Sequence, residues 1–395
     1  MPSKKILSGE GDVLFVAIQT GLEQPTKPLS SGTVFLTATP TLTHKPREAE
    51  NKELRRTRDP QPGKNVGMSI GDFKFSTNFA LSGSKGVTSC IHPFLLSGFG
   101  RYTETPGDNV TYTHYQFDDE WVYLTVLWKK ESETILLEDF VVDTLTIKST
   151  AATLQTIDFS GYFLKKKQAG TGYLNAALTT GTTNIVLKTK TQIETFEIGS
   201  LINIGTDTNS GEGFQITAVD ISTNTLTVDT GITIAQDADA LVTGWSPVEV
   251  ASGYTVDGGF GEFLVNQNSD GAGAVQIISA DYTLKNNIAK LEEERGSSSN
   301  GGYVGRFGTG KREITFNTEQ YLTIDGLSAD YHLKNNSVIT TELNMGEEEG
   351  KTAKLIIPNM RLSDVSESGD AQKKQSRQGK CFPDAGDDAS SLVLR

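Results

Sequence analysis

Apolar and polar residues alternate with period two over much of the chain, the mark of strands that bury one face and wet the other. Phe73, Phe75 and Phe79 fall on one side of such a run, and Asp72, Lys74, Ser76 and Asn78 on the other. A second run places Ile314 and Phe316 on one side, with Glu313, Thr315, Asn317 and Glu319 opposite. Further strands are predicted near Val13–Ile18, Thr33–Thr43, Trp121–Trp128, Thr134–Ile147, Thr153–Leu164, Val275–Leu284, Val338–Met345 and Thr352–Ile357, with Leu392–Leu394 closing the chain. Val87, Ile91 and Leu95, spaced by four, predict a short helix within Gly86–Gly98, limited by Pro93. The fold class expected is mainly β.

The text between these runs sets the expected organisation. Residues 1–30 read as an arm. The stretch Lys45–Asn65 holds Pro46, Pro60 and Pro62 and seven basic residues against four acidic ones, too charged for core and too long for a hairpin turn. Lys165–Gly172 and Gly253–Gly261 read as polar or glycine-rich joins. Between them, residues 173–246 contain no Arg and two Lys against eight acids, and short strand-like runs alternate with turns such as Thr206–Gly211. Residues 169–254 are therefore expected to form a small inserted β-barrel or sandwich, between β domains at 31–168 and 255–395. The tail Ser366–Asp388 reads as loose.

Composition narrows the function. With 40 Gly among 395 residues and 36% hydrophobic residues, short strands and wide polar faces are favoured over one large core. The formal net charge of −13 argues against holding nucleic acid by its phosphates, which takes clustered Lys and Arg. It suits a surface that nucleic acid passes without sticking. Only Cys90 and Cys381 are present, giving no disulfide framework and no CxxC metal site. The start Met1-Pro2-Ser3-Lys4-Lys5 lacks an apolar signal core, so a reducing cytoplasm and no membrane are expected.

Chemistry-bearing motifs do not emerge. His44, His92, His114 and His332 have no second ligand at a recognised metal spacing, and there is no GxSxG, P-loop or HExxH. Asp118-Asp119-Glu120, Glu292–Arg295 and Glu347–Glu349 read as solvated charge runs, and the glycines at 258, 259 and 261 as linker. No catalytic residue, metal or cofactor is expected.

An internal repeat changes the picture. Thr37–Leu42 resembles Ser279–Leu284, and Phe73–Thr77 resembles Ile314–Thr318, at offsets of 242 and 241 residues. Ile135–Phe140 resembles Leu355–Met360, each after an acidic turn. Order and loop length match, so a duplicated β domain with a third module between the copies is expected.

Two segments carry a family resemblance. Asn51–Arg55, a Pro-rich loop and Gly67–Phe73 resemble the long loop and following strand of siphophage major tail proteins, as does Lys351–Leu362 with its Pro358-Asn359 turn. The resemblance covers roughly 30–165 and 255–395, not 173–246. It implies a β-sandwich with a flanking helix, polymerised as stacked rings whose inner sheets join around a channel. A chain with two such domains would close as a trimer with pseudo-sixfold symmetry. Lys45, Arg47, Lys52, Arg55, Arg56, Arg58 and Lys64 would lie on the inter-ring loop, with Lys285–Gly308 as its counterpart. Asp72, Lys74, Ser76, Asn78, Glu313, Thr315, Asn317 and Glu319 would face the lumen, together with strands near 142–148 and 154–163. The expected partners are further copies of the chain, other tail proteins (terminator, tape measure, baseplate) and genome DNA passing without specific binding; the expected place is the virion tail, assembled in the host bacterial cytoplasm. Two competing readings are another virion part (tail terminator, decoration or baseplate-hub protein) and a secreted carbohydrate-active β protein.

Overall fold

A computed structural model describes residues 11–49, 64–116, 119–151, 153–250, 253–259, 261–266, 272–275, 277–291, 306–322, 328–369, 372–383 and 388–395. The fold is mainly β, with antiparallel pairing throughout. The chain divides into two compact units, one of Met1–Thr39, Leu124–Phe140 and Lys165–Ala251, the other of Pro40–Tyr123, Val141–Leu164 and Ser252–Arg395.

In the first unit, β1 (Val13–Ile18) lies between β2 (Thr33–Phe35) and β10 (Leu124–Lys129). The front of β11 (Thr134–Thr150) pairs with β10 on one side and β13 (Lys165–Ala169) on the other. The strand expected within the arm, Val13–Ile18, is thus a central one, and its Val13 and Phe15 pack with Leu127, Leu136 and Trp245. The expected join at 165–172 is also strand. Its lysines defeat a hydrophobicity-based reading, but Lys167 finds buried Glu138 as an ion partner, so the charge does not keep the segment out of the sheet.

The same unit holds a separate six-stranded sheet, ordered β14 (Thr171–Tyr173), β19 (Leu241–Gly244), β16 (Leu201–Ile204), β17 (Phe214–Asp220), β18 (Thr225–Val228) and β15 (Asn184–Val186). A one-turn helix, α2 (Lys190–Ile193), is capped by the Thr189 hydroxyl, which accepts from the Gln192 N–H. The core of this sheet joins Ile185, Ile202, Phe214, Leu226 and Val242.

The second unit is built on a long sheet ordered β3 (Thr41–Thr43), β6 (Gly71–Asn78), β12 (Thr156–Phe163), the rear of β11, β23 (Ser279–Lys285), β26 (Glu313–Tyr321), β29 (Lys374–Phe382) and β28 (Ala353–Ser368). The front of β28 turns into a second layer with β27 (Ile339–Met345), β21 (Gly261–Asn266), β22 (Ala272–Val275) and β30 (Ser391–Leu394). Hairpins β4 (Pro46–Ala49) with β5 (Lys64–Met68), and β24 (Ala289–Leu291) with β25 (Arg306–Gly308), occupy the two long loops. A third hairpin, β8 (Gly100–Thr105) with β9 (Asn109–His114), pairs with β30. Short β7 (Ala80–Leu81) pairs with β20 (Tyr254–Thr255) inside the expected glycine-rich join.

Helix α1 (His92–Phe99) carries Pro93 in its first turn, where a fixed φ and a missing N–H are tolerated. Helix α3 (Ser328–Asn335), absent from the sequence expectation, has only Ala329, Tyr331 and Leu333 as apolar residues in a polar segment, too few to stand out in the sequence. The expected loose tail contains β29, an alternating strand whose buried side includes Gln375 and Cys381 rather than aliphatics.

The pairings of one strand set recur in the other. β1 with β2 and β10 matches β21 with β22 and β27; β11 with β10, β12 and β13 matches β28 with β27, β29 and β30; β6 with β3 and β12 matches β26 with β23 and β29. Even the irregularities coincide. The ladder shifts between Val142 and Thr144 in β11, and between Leu362 and Asp364 in β28. Phe73 lies opposite Gly161, as Phe316 lies opposite Gly379. This sets Phe73 against Phe316, two residues from the expected alignment of Phe73 with Ile314. A shift of two leaves every side chain on its original face, so alternation alone could not detect it.

Candidate functional site

The long sheet buries one face. Phe75 packs against Phe73, Phe94 and Phe159, with ring centroids 5.6, 4.7 and 5.2 Å away. Leu145, Ile147, Ile157, Tyr282, Leu284, Ile314 and Phe316 extend this layer. Period two then commits the alternate residues to the other face.

The register decides which of them meet. Ser76, Asp158, Thr146, Thr283, Thr315 and Lys380 form one row across six strands, each directly opposite the next. Asn78, Thr156, Lys148, Asp281, Asn317, Gln378 and Asp364 form the row beside it. Hence Ser76 and Thr315, 239 positions apart in the chain, share one polar face across four ladder spacings, roughly 19 Å. Asp72, Ser76, Asn78, Thr315, Asn317 and Glu319 are half-buried there, and Lys74 and Glu313 exposed.

Sequence alternation named residues on two strands and expected the strands near 142–148 and 154–163 to share their face; the register puts Thr146 and Lys148 of β11 and Asp158 of β12 on that polar face and adds Asp281 and Thr283 of β23. Their own alternation carried the signal, but a lone strand does not say which others it joins. The Thr146 and Thr283 hydroxyls lie 3.2 Å apart. Lys148 sits 2.6 Å from Asp158, whose hydrogen bond holds its ammonium above the usual lysine range. Burial raises the Asp281 carboxyl, offset in part by Lys148. Lys374 meets Glu319 at 3.3 Å, and Lys290 meets Asp72 at 3.0 Å. The face carries Lys74, Lys148, Lys285, Arg361, Lys374 and Lys380 against Asp72, Asp158, Asp281, Glu313, Glu319 and Asp364, so its own charge is nearly balanced.

Of the predicted loop cations, Lys45 follows β3 and is exposed, with its carbonyl accepting from the Ser69 N–H at 2.9 Å. Arg47 and Lys64 lie in strands β4 and β5. Lys52, Arg55, Arg56 and Arg58 lie outside the described residues. Among the described residues no cluster of three or more His, Cys, Asp or Glu side chains could hold a metal ion. Within the same set no helix is long and apolar enough to cross a membrane.

Two histidines lie in the core of the second unit. His92 Nδ1 is 2.8 Å from the Tyr112 hydroxyl; His114 Nε2 is 2.8 Å from Ser390 Oγ, which is 2.7 Å from the Tyr282 hydroxyl. Burial lowers His92 to about 4 and His114 to about 3. Both fall below the unfolded value near 6.5, so the unfolded chain binds more protons between these limits. Their contribution is fully present above pH 6.5 and is lost as pH falls toward 4 and then 3. We expect the unfolding free energy of the unassembled chain to drop by roughly 3 kcal/mol per histidine from pH 7 to pH 3. Urea titrations at stepped pH check this: His114→Gln should flatten the slope, and an unchanged slope in that variant would refute the assignment.

No protein-family model matches the chain, and a search of curated proteins finds no significant match.

Proposed function

We propose that the chain is a structural subunit of a siphophage tail tube, built from two related β-sandwich domains with a small β module inserted between them. The supporting observation is the recurrence of the strand pairings, bulge for bulge, together with the edge-to-edge joining of the two repeats through β11 and β23. A sandwich that pairs with its own duplicate leaves edges of the same kind at its two ends. Rotation-related copies can close such edges into a ring, and stacked rings make a filament. The polar face would then line the channel, and its near balance of charge would let DNA move past. Three chains would supply six repeats. The loop carrying Lys45, Arg47, Lys52, Arg55, Arg56, Arg58 and Lys64 would reach the adjacent ring, where many weak ion pairs act together. The role is structural, without catalysis or cofactor, in the virion tail.

Negative-stain microscopy of the purified protein tests this reading. Long filaments with a central channel are expected. Single rings that never extend would favour a tail terminator, and a monomer under all conditions would sink both.

A further inference from the structure

The seam inside the chain is a template for a seam between chains. Within the chain, β11 and β23 run antiparallel, with Thr144 opposite Lys285, Thr146 opposite Thr283 and Lys148 opposite Asp281. The Asn286 N–H donates to the Asp143 carbonyl at 2.7 Å, and the Thr146–Thr283 hydroxyl contact lies on the polar face.

The repeat supplies the counterparts. The shared bulge matches Thr144 with Asp364 and Thr146 with Ser366. Leu42 pairs with Phe73 as Tyr282 pairs with Phe316, so β3 stands in for β23, with Thr43 for Thr283 and Lys45 for Lys285. Among the described residues β3 pairs only with β6, and Arg361–Ser368 of β28 only with β29. Each therefore keeps one ladder side open.

We propose that β28 of one copy pairs antiparallel with β3 of a second copy in the register of the internal seam, placing Asp364 opposite Lys45, Ser366 opposite Thr43 and Ser368 opposite Thr41. This rests on the tail-tube reading and assigns its lateral contact. The chemistry of the edges fits. Thr41, Thr43, Lys45, Asp364, Ser366 and Ser368 are all exposed, while Leu42 and Val365 are half-covered on the other face. Asp364 and Lys45 put opposite charges where the internal seam has Thr144 and Lys285, adding an attraction specific to the contact between copies. One position departs from the template: Glu367 stands where Ile147 is buried. A charge on the inward side of an open edge discourages indiscriminate strand pairing, so it favours the matched partner over aggregation.

In this register Ser366 and Thr43 form a non-hydrogen-bonded pair, the closer of the two antiparallel spacings. The double variant Thr43→Cys with Ser366→Cys should give covalent multimers on oxidation of assembled protein, read by non-reducing denaturing gel. Each single variant, and Leu42→Cys with Ser366→Cys on opposite faces, should stay monomeric on that gel. As a second measurement, Asp364→Lys should raise the concentration needed for assembly about tenfold, and Lys45→Asp in the same chain should restore it. Filaments that form without the Thr43–Ser366 link, or without rescue by the charge swap, overturn this register and leave the tube reading standing. A chain that folds and never assembles removes both.

Discussion

Phe75→Ala should lower the unfolding free energy of the unassembled chain by about 3–5 kcal/mol, the range for removing a buried phenylalanine. Phe75 is 4% exposed and touches rings from two neighbouring elements, Phe94 of α1 and Phe159 of β12. The lost ring would leave a cavity that a sheet on one side and a helix on the other cannot collapse to fill. Some of the loss is specific to aromatic pairing, about 0.5–1.5 kcal/mol per pair. The second repeat makes the comparison informative, because Thr318 occupies the place of Phe75. Thr318→Ala should therefore cost far less. Urea unfolding of both variants measures the difference. A loss below about 1 kcal/mol for Phe75→Ala would mean that this aromatic group does not organise the core.

Placing lysines on the polar face should turn a surface that DNA slides past into one that holds it. Register governs the choice of site. Lysine at Ser76 or Asn317 would stand opposite Asp158 or Asp281 and be largely neutralised. Ser160 instead lies between Lys74 and Thr144, and Thr315 between Thr283 and Lys380, so lysines there add to existing positive charge. The double variant Ser160→Lys with Thr315→Lys should fold and assemble, since both positions are only half-covered. Opposed like charges would weaken the sheet by up to about 1 kcal/mol. If three chains close a ring, each ring gains six lysines. DNA retention engaging about six phosphates should then weaken on the order of a thousandfold between 50 and 200 mM salt. Co-sedimentation of duplex DNA with assembled protein reads this directly. Variant tubes that retain no more DNA than wild type at low salt would show that this face does not line the channel.

Legibility in the sequence followed the size of the local signal. The alternation in Phe73–Asn78 and Glu313–Glu319 is strong, and both segments are strands whose buried and wet faces follow it. Helix α3, in its polar segment, and β13, with its three lysines, escaped because neither carries enough apolar residues to stand out. The charge of β13 is accommodated by a buried partner far away in the chain, Glu138. The strand character of residues 374–382 escaped for a related reason, since its covered positions include Gln375 rather than an aliphatic side chain.

The sequence by itself determined which face of each strand is buried, because side-chain direction alternates whatever the neighbour, and it determined that similar strand texts occur in the same order twice. The tertiary structure alone decided which strands adjoin and in what register. Backbone hydrogen bonds are the same for every residue, so nothing local marks Thr146 for Thr283 or Ser76 for Asp158. A register two residues away satisfies the same alternation, and packing of particular pairs, such as Phe73 over Gly161, must choose between them.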